Sequence, residues 1–153
     1  MRRLELRIPP LAVVVLAALL MWLIAAFTPG VRLYIPGQTA VASVVAGCGL
    51  LICVIGILQF RRAGTTVNPL RPEAASGLVT RGIYRFTRNP MYVGFALVLL
   101  AWAVFLQNPL NIIVLVAFVV YIDRFQVRPE ERALKSKFGA QFDTYKRKVR
   151  RWL

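Results

Sequence analysis

Apolar residues in this chain gather into long uninterrupted runs: Leu11 to Phe27, Thr39 to Phe60, Met91 to Leu106, and Leu110 to Ile122. No Asp, Glu, Lys or Arg breaks any of them. A helix needs about 20 apolar residues to cross a hydrocarbon core, so the first two runs predict complete spans. The third and fourth are shorter and read as the limbs of a helical hairpin, with Gln107-Asn108-Pro109 as its turn. The expectation is an all-α integral membrane protein forming one membrane domain over 1–153. Its spans fall at about 10–27, 38–60, 90–106 and 109–123, with a connector over 61–89 and a C-terminal amphipathic helix over 129–152.

Two finer periodicities sit on this pattern. In the second span Ala42, Ala46, Gly49, Cys53 and Gly56 recur at helical spacing, so they share one face. Small faces let membrane helices approach closely, whether the partner is another span or a second copy in a homodimer. After Pro129, the residues Leu134, Phe138, Phe142, Tyr145, Val149 and Trp152 form an apolar stripe with Lys and Arg on the other faces. Such a helix lies at a membrane interface or caps a bundle, and Gly139 is a point where it can break. In the connector, Thr65 to Pro72 should be extended, since each proline restricts itself and its predecessor.

Composition agrees with the pattern: 58% of the 153 residues are hydrophobic, with a mean hydropathy of +0.63. Charge then sets orientation. Of the 20 Lys and Arg residues, Arg32 alone lies between the first and second spans; a four-span topology puts all the others on one side. The positive-inside rule makes that side cytoplasmic, with both termini there, and a bacterial inner membrane is the expected location. The first run is expected to remain as a span, because no clear small-x-small cleavage site follows it. The net charge of +14 is explained by this topology and by anionic headgroups. No nucleic-acid partner is expected, since no helix-turn-helix, stacking motif or zinc finger is visible. The chain has no His, and Cys48 and Cys53 lie inside a span without ligating neighbours, so neither a metal site nor a disulfide is expected.

Polar residues that carry chemistry cluster at the two ends of the hairpin. At its start lie Tyr84, Arg88, Asn89, Pro90, Tyr92 and Gly94; at its end lie Asp123, Glu130 and Glu131. The hairpin should bring both groups to one membrane face. Amides at the helix start and the Arg88 charge suit an anion. They equally suit an interfacial anchor, as Arg and Tyr are common at headgroup level. Glu130 and Glu131 suit the positive end of a helix dipole, or ribose hydroxyls, or a ligand ammonium group. Asp123 is expected to pair with Arg124 or Arg88.

The run Gly82-Ile83-Tyr84-Arg85-Phe86-Thr87-Arg88-Asn89-Pro90-Met91-Tyr92-Val93-Gly94, then a hairpin, then Glu130-Glu131 followed by Leu134, Phe138-Gly139, Phe142 and Tyr145, resembles the isoprenylcysteine carboxyl methyltransferase family. That family is related to the phospholipid N-methyltransferases. The resemblance covers about residues 77–152, and its strength lies in the order of the two motifs around a hairpin.

The resemblance implies a membrane methyltransferase that takes S-adenosylmethionine in a cytoplasmic pocket. Carried over position by position, it implies cofactor roles for Tyr84, Arg88, Asn89, Pro90, Tyr92, Gly94, Glu130 and Glu131. It singles out no catalytic residue. Asn89 stands where the family has His; it can exchange hydrogen bonds but cannot titrate. A carboxylate or thiolate acceptor, lipophilic or amphiphilic and drawn from the bilayer, fits this better than an amine, which must first lose a proton. Alignment of acceptor and methyl group in a dry site is the main requirement. Two other readings stand beside it: an NADPH-dependent membrane reductase of a sterol-like or other lipid, and a non-enzymatic lipid-binding or assembly protein.

Overall fold

The computed structural model describes residues 5–64 and 76–153; the extended reading of Thr65 to Pro72 lies outside the described residues. The described chain is helical, and its long apolar helices are α1 (Pro10–Phe27) and α2 (Gln38–Arg62). They are followed by α3 (Pro90–Leu106), α4 (Asn111–Ile122) and α5 (Arg128–Lys148). A single 3-10 turn, Gly82–Arg85, precedes α3.

Local chemistry sets the boundaries. Proline occupies the first position of α1 and α3, where an amide would lack a helical acceptor. α2 begins after Gly37, whose left-handed φ of 65° suits a residue without Cβ, and it ends on Arg61 and Arg62 at the negative end of its dipole. α3 ends at Gln107, also left-handed, and the chain turns directly into α4. The buried Asn108 holds this turn. Its amide donates to Thr28 Oγ1 at 2.7 Å, and its carbonyl accepts from the Leu110 amide at 3.0 Å.

α3 is the central helix, packed against α1, α2 and α4. Met21, Leu99, Val114, Phe118 and Ile122 form much of the core, and Trp102 donates from Nε1 to the Ala18 carbonyl at 3.0 Å. The opposite faces are apolar as well: Leu16, Leu19 and Trp22 of α1, Leu50 and Leu51 of α2, and Ile113 and Val116 of α4 are all exposed. Helices that are apolar inside and outside suit a hydrocarbon solvent.

The small-residue face of α2 is covered by α3 within the one chain. A Cβ added at Gly49 would lie 2.7 Å from the Gly94 carbonyl oxygen; one added at Gly94 would lie 2.6 Å from that of Gly49 and 2.4 Å from Cys53 Sγ. The backbones therefore meet where both helices lack side chains. Gly94 faces this seam, so its lack of a side chain serves the packing of α2 on α3.

The α4–α5 joint departs from a simple helix start at Pro129. Residues Asp123–Val127 form a widened π turn, and the backbone stays helical from α4 into α5. Pro129 has no amide to give the Phe125 carbonyl four residues back. The Leu6 amide takes that carbonyl instead, at 3.1 Å. Gln126 donates from Nε2 to the Ile8 carbonyl at 2.7 Å, so the segment before α1 straps the joint. α5 then kinks at Gly139 (φ 48°, ψ −121°). It ends at Lys148 rather than continuing to 152: Val149 is extended, and residues 149–153 leave the helix axis. Phe142, Tyr145 and Val149 pack with Leu78, Leu134 and Phe138 as a second, smaller core.

Candidate functional site

The extended tail after α5 lies alongside the segment entering α3. Thr87 and Arg150 form a parallel bridge, and the Arg88 amide donates to the Arg150 carbonyl at 3.0 Å. The Asn89 side chain donates to the Arg151 carbonyl at 2.9 Å. Its amide group thus fastens the tail, which a hydrogen-bonding residue does without needing to titrate.

This docking assembles a row of charges from four separate segments. Arg88 approaches Glu131 at 2.6 Å, with both side chains largely buried. Glu131 accepts from Arg151 on its other oxygen at 2.7 Å. Arg151 reaches Asp123 at 3.1 Å, and Asp123 reaches Arg128 at 2.7 Å. Arg88 also donates to the backbone carbonyls of Val149 and Lys146. Burial works to raise the Glu131 carboxyl's pKa, but the hydrogen bonds from Arg151 and Arg88 outweigh it and hold the group below the usual range. Asp123 pairs with Arg128 and Arg151, while Arg88, one of its expected partners, pairs with Glu131 instead.

Glu130 is the opposite case. No described residue forms an ion pair with it, and its hydrogen-bond partner is the hydroxyl of Tyr92. The residue is half-buried, but its carboxyl is sunk in the protein; that burial pushes the pKa up to about 8, with Glu131 adding to the rise. The two adjacent glutamates thus have different chemistry: Glu131 is a charged brace and Glu130 a nearly neutral acid near pH 7.

Of the residues singled out in the sequence, Arg88, Asn89, Tyr92, Glu130 and Glu131 meet at this end of the bundle. Pro90 is buried at the start of α3. Tyr84 packs edge-on against Phe60 at 5.2 Å, and its carbonyl accepts from the Tyr145 hydroxyl at 2.7 Å. Its own buried hydroxyl has no partner among the described residues. Sequence reasoning missed Arg151, Thr87 and Gln126. Arg151 sits in a basic tail, where nothing in the spacing separates it from Arg147 or Arg150.

An uncharacterized protein of Haemophilus influenzae is 46% identical over 63 residues, covering 41% of this chain and 100% of that protein. Protein-S-isoprenylcysteine O-methyltransferase A of Arabidopsis thaliana is 33% identical over 115 residues, covering 69% of this chain and 57% of that one. The Saccharomyces cerevisiae protein-S-isoprenylcysteine O-methyltransferase is 30% identical over 112 residues, covering 67% of this chain and 47% of that one. The chain thus spans about half the length of these two named relatives. Residues 38–141 match the phospholipid methyltransferase family, a region that holds the first hairpin motif and the second as far as Gly139; the chain belongs to that family.

Proposed function

We propose that this protein is an integral membrane methyltransferase that uses S-adenosylmethionine and methylates a lipophilic or amphiphilic acceptor. The observation that carries the reading is the division of labour between the two glutamates. Arg88, Glu131 and Arg151 satisfy one another and form a frame. Glu130 stands beside them without a cationic partner among the described residues, on a carboxyl already removed from water.

S-adenosylmethionine offers an ammonium group and ribose hydroxyls, either of which would give Glu130 the partner it lacks. Tyr92 would orient that carboxyl, and Tyr84 lies nearby with a hydroxyl that has no partner among the described residues. Arg88, Asn89, Pro90 and Glu131 act one step back, by holding the start of α3 and the C-terminal tail in place. When bound, the cofactor supplies an electrophilic methyl group; the protein's part is to exclude water and align the acceptor. A carboxylate or thiolate acceptor is favoured, because the chain contains no His and the family's histidine position is Asn89, whose side chain is committed to the tail.

The proposed topology has four crossings, with both termini and the charged site on the cytoplasmic side of a bacterial inner membrane. α4 is short by itself, but with the π turn it runs from Asn111 to Val127, roughly 25 Å at helical rise. The basic residues collect at that end, while the Asn108 turn is at the other.

Labelled S-adenosylmethionine should bind saturably to the protein in nanodiscs. Glu130→Gln and Tyr92→Ala should weaken binding at least tenfold while the helical circular-dichroism spectrum is retained. Wild-type affinity in both variants would sink the site assignment. Mass spectrometry of membrane extract after incubation with labelled cofactor identifies the acceptor, and an absence of any labelled product would count against transfer itself.

A further inference from the structure

A concavity lies between the segment entering α3 and the last turns of α5. It is an open cleft of about 840 Å³ lined by Thr80, Arg81, Gly82, Arg85 and, from α5 and its end, Gln141, Thr144, Tyr145, Lys148 and Val149. Three of these residues are cationic and none is acidic. Arg81, Arg85 and Lys148 are exposed, and none forms an ion pair among the described residues. This sets them apart from Arg88, Arg128, Arg132, Lys135 and Arg151, each of which has a carboxylate.

Three like charges around one cleft repel one another unless an anion or solvent counterions neutralise them. A hydroxyl and an amide on the rim offer further bonds to a group rich in acceptor oxygens. Thr144 already donates to the Ala140 carbonyl at 2.9 Å and accepts from Arg147 at 3.1 Å, so it has no donor to offer; Thr80 and Gln141 retain donors. The dimensions exceed what one phosphate needs and leave room for a headgroup. Phe86, directly after Arg85, is 75% exposed. An aromatic ring in that position next to a cationic rim suits the boundary between headgroups and acyl chains.

We propose that this cleft binds a phosphate-bearing anion, held by Arg81, Arg85 and Lys148, at a position distinct from the transfer site. Its two possible sources share that chemistry: the headgroup of an anionic bilayer lipid and a soluble phosphate ester. Occupancy would tie the 3-10 turn to the end of α5. These are the elements already joined by the Tyr145–Tyr84 hydrogen bond and, through Val149, to Arg88. A bound anion should therefore stabilise the fold whether or not methyl transfer occurs.

The test uses the full chain in nanodiscs of phosphatidylcholine, with phosphatidylglycerol titrated in, and in a nonionic detergent with glycerol phosphate titrated in. Thermal unfolding and native mass spectrometry are the readouts. The variant Arg81→Gln/Arg85→Gln is compared with Arg61→Gln/Arg62→Gln, which removes the same charge from the end of α2. A saturable stabilisation by phosphatidylglycerol, with retained lipid adducts, lost in the first variant and kept in the second, supports the site with lipid as its source. The same pattern with glycerol phosphate supports the site with a soluble source. Equal responses in the two variants, or no saturable response in the wild type, would overturn the proposal and leave only general attraction to anionic surfaces. Should the first variant fail to fold, Lys148→Gln alone, expected to weaken binding severalfold, replaces it under the same criteria.

Discussion

The seam between α2 and α3 and the charged end of the bundle are both tight, but for opposite reasons. At the seam the fit comes from missing atoms: Gly49 and Gly94 let two backbones approach until a single methyl would collide. In a bilayer such contact is worth having, because packing replaces the absent hydrophobic drive between helices. At the charged end the fit comes from added atoms, long side chains whose charges must be matched one by one. The seam joins two regular helices over several turns. The charged end joins the start of α3, the π turn, the start of α5 and the tail, and it fails if any one of them moves.

Breaking the charged end should therefore cost most. Removing Glu131 leaves Arg88 and Arg151 facing each other in a largely buried setting. Glu131→Ala should destabilise the protein by about 3–5 kcal/mol, the usual penalty for orphaning a buried charge. Glu131→Gln, which keeps an acceptor oxygen, should lose only about 1–3 kcal/mol. Chemical unfolding in detergent distinguishes them, and equal losses would mean that the brace works by its charge alone, the shape and acceptor kept by Gln adding nothing.

The seam should come next. Gly94→Ala must move either Cys53 or the α2 backbone, and overpacking of this kind costs about 1–3 kcal/mol. Gly30→Ala, where an added Cβ meets nothing within 4 Å, is the matched control and should be close to neutral. A Gly94→Ala variant as stable as the wild type would show that the seam has slack.

The two regions also differed in how far they could be read from sequence. The seam was visible because its residues repeat along one helix, from Ala42 to Gly56; only its partner was open. The meeting of Arg88 with Glu131 was half visible, since a hairpin returns the chain to the same face. Arg151 was hidden, because its place depends on α5 ending at Lys148, and the apolar stripe runs on through Val149 and Trp152 as if the helix continued. What stops the helix is tertiary: Arg88 takes the carbonyls of Lys146 and Val149, and the tail pairs with Thr87 and Arg88. The π turn was hidden for the same reason, since the acceptor left free by Pro129 is satisfied by Leu6, more than a hundred residues away.

The finest comparison separates the two glutamates by pH. In the unfolded chain Glu130 titrates near its ordinary value of 4.5, while in the folded protein it keeps its proton up to about 8. Between those values the folded state binds more protons than the unfolded state, so stability falls as pH rises through this window, with a slope of at most roughly 1.4 kcal/mol per pH unit. Glu131 runs the other way: its lowered folded pKa gives a contribution present at neutral pH and lost on acidification. Unfolding free energies measured from pH 5 to 9 should thus decline for the wild type and flatten for Glu130→Gln. The Tyr92 hydroxyl favours the charged carboxylate, so Tyr92→Phe should move the end of the decline to higher pH. A shift to lower pH in Tyr92→Phe would mean that the hydroxyl serves the neutral acid instead, and a Glu130→Gln curve still falling like the wild type would assign the slope to another group.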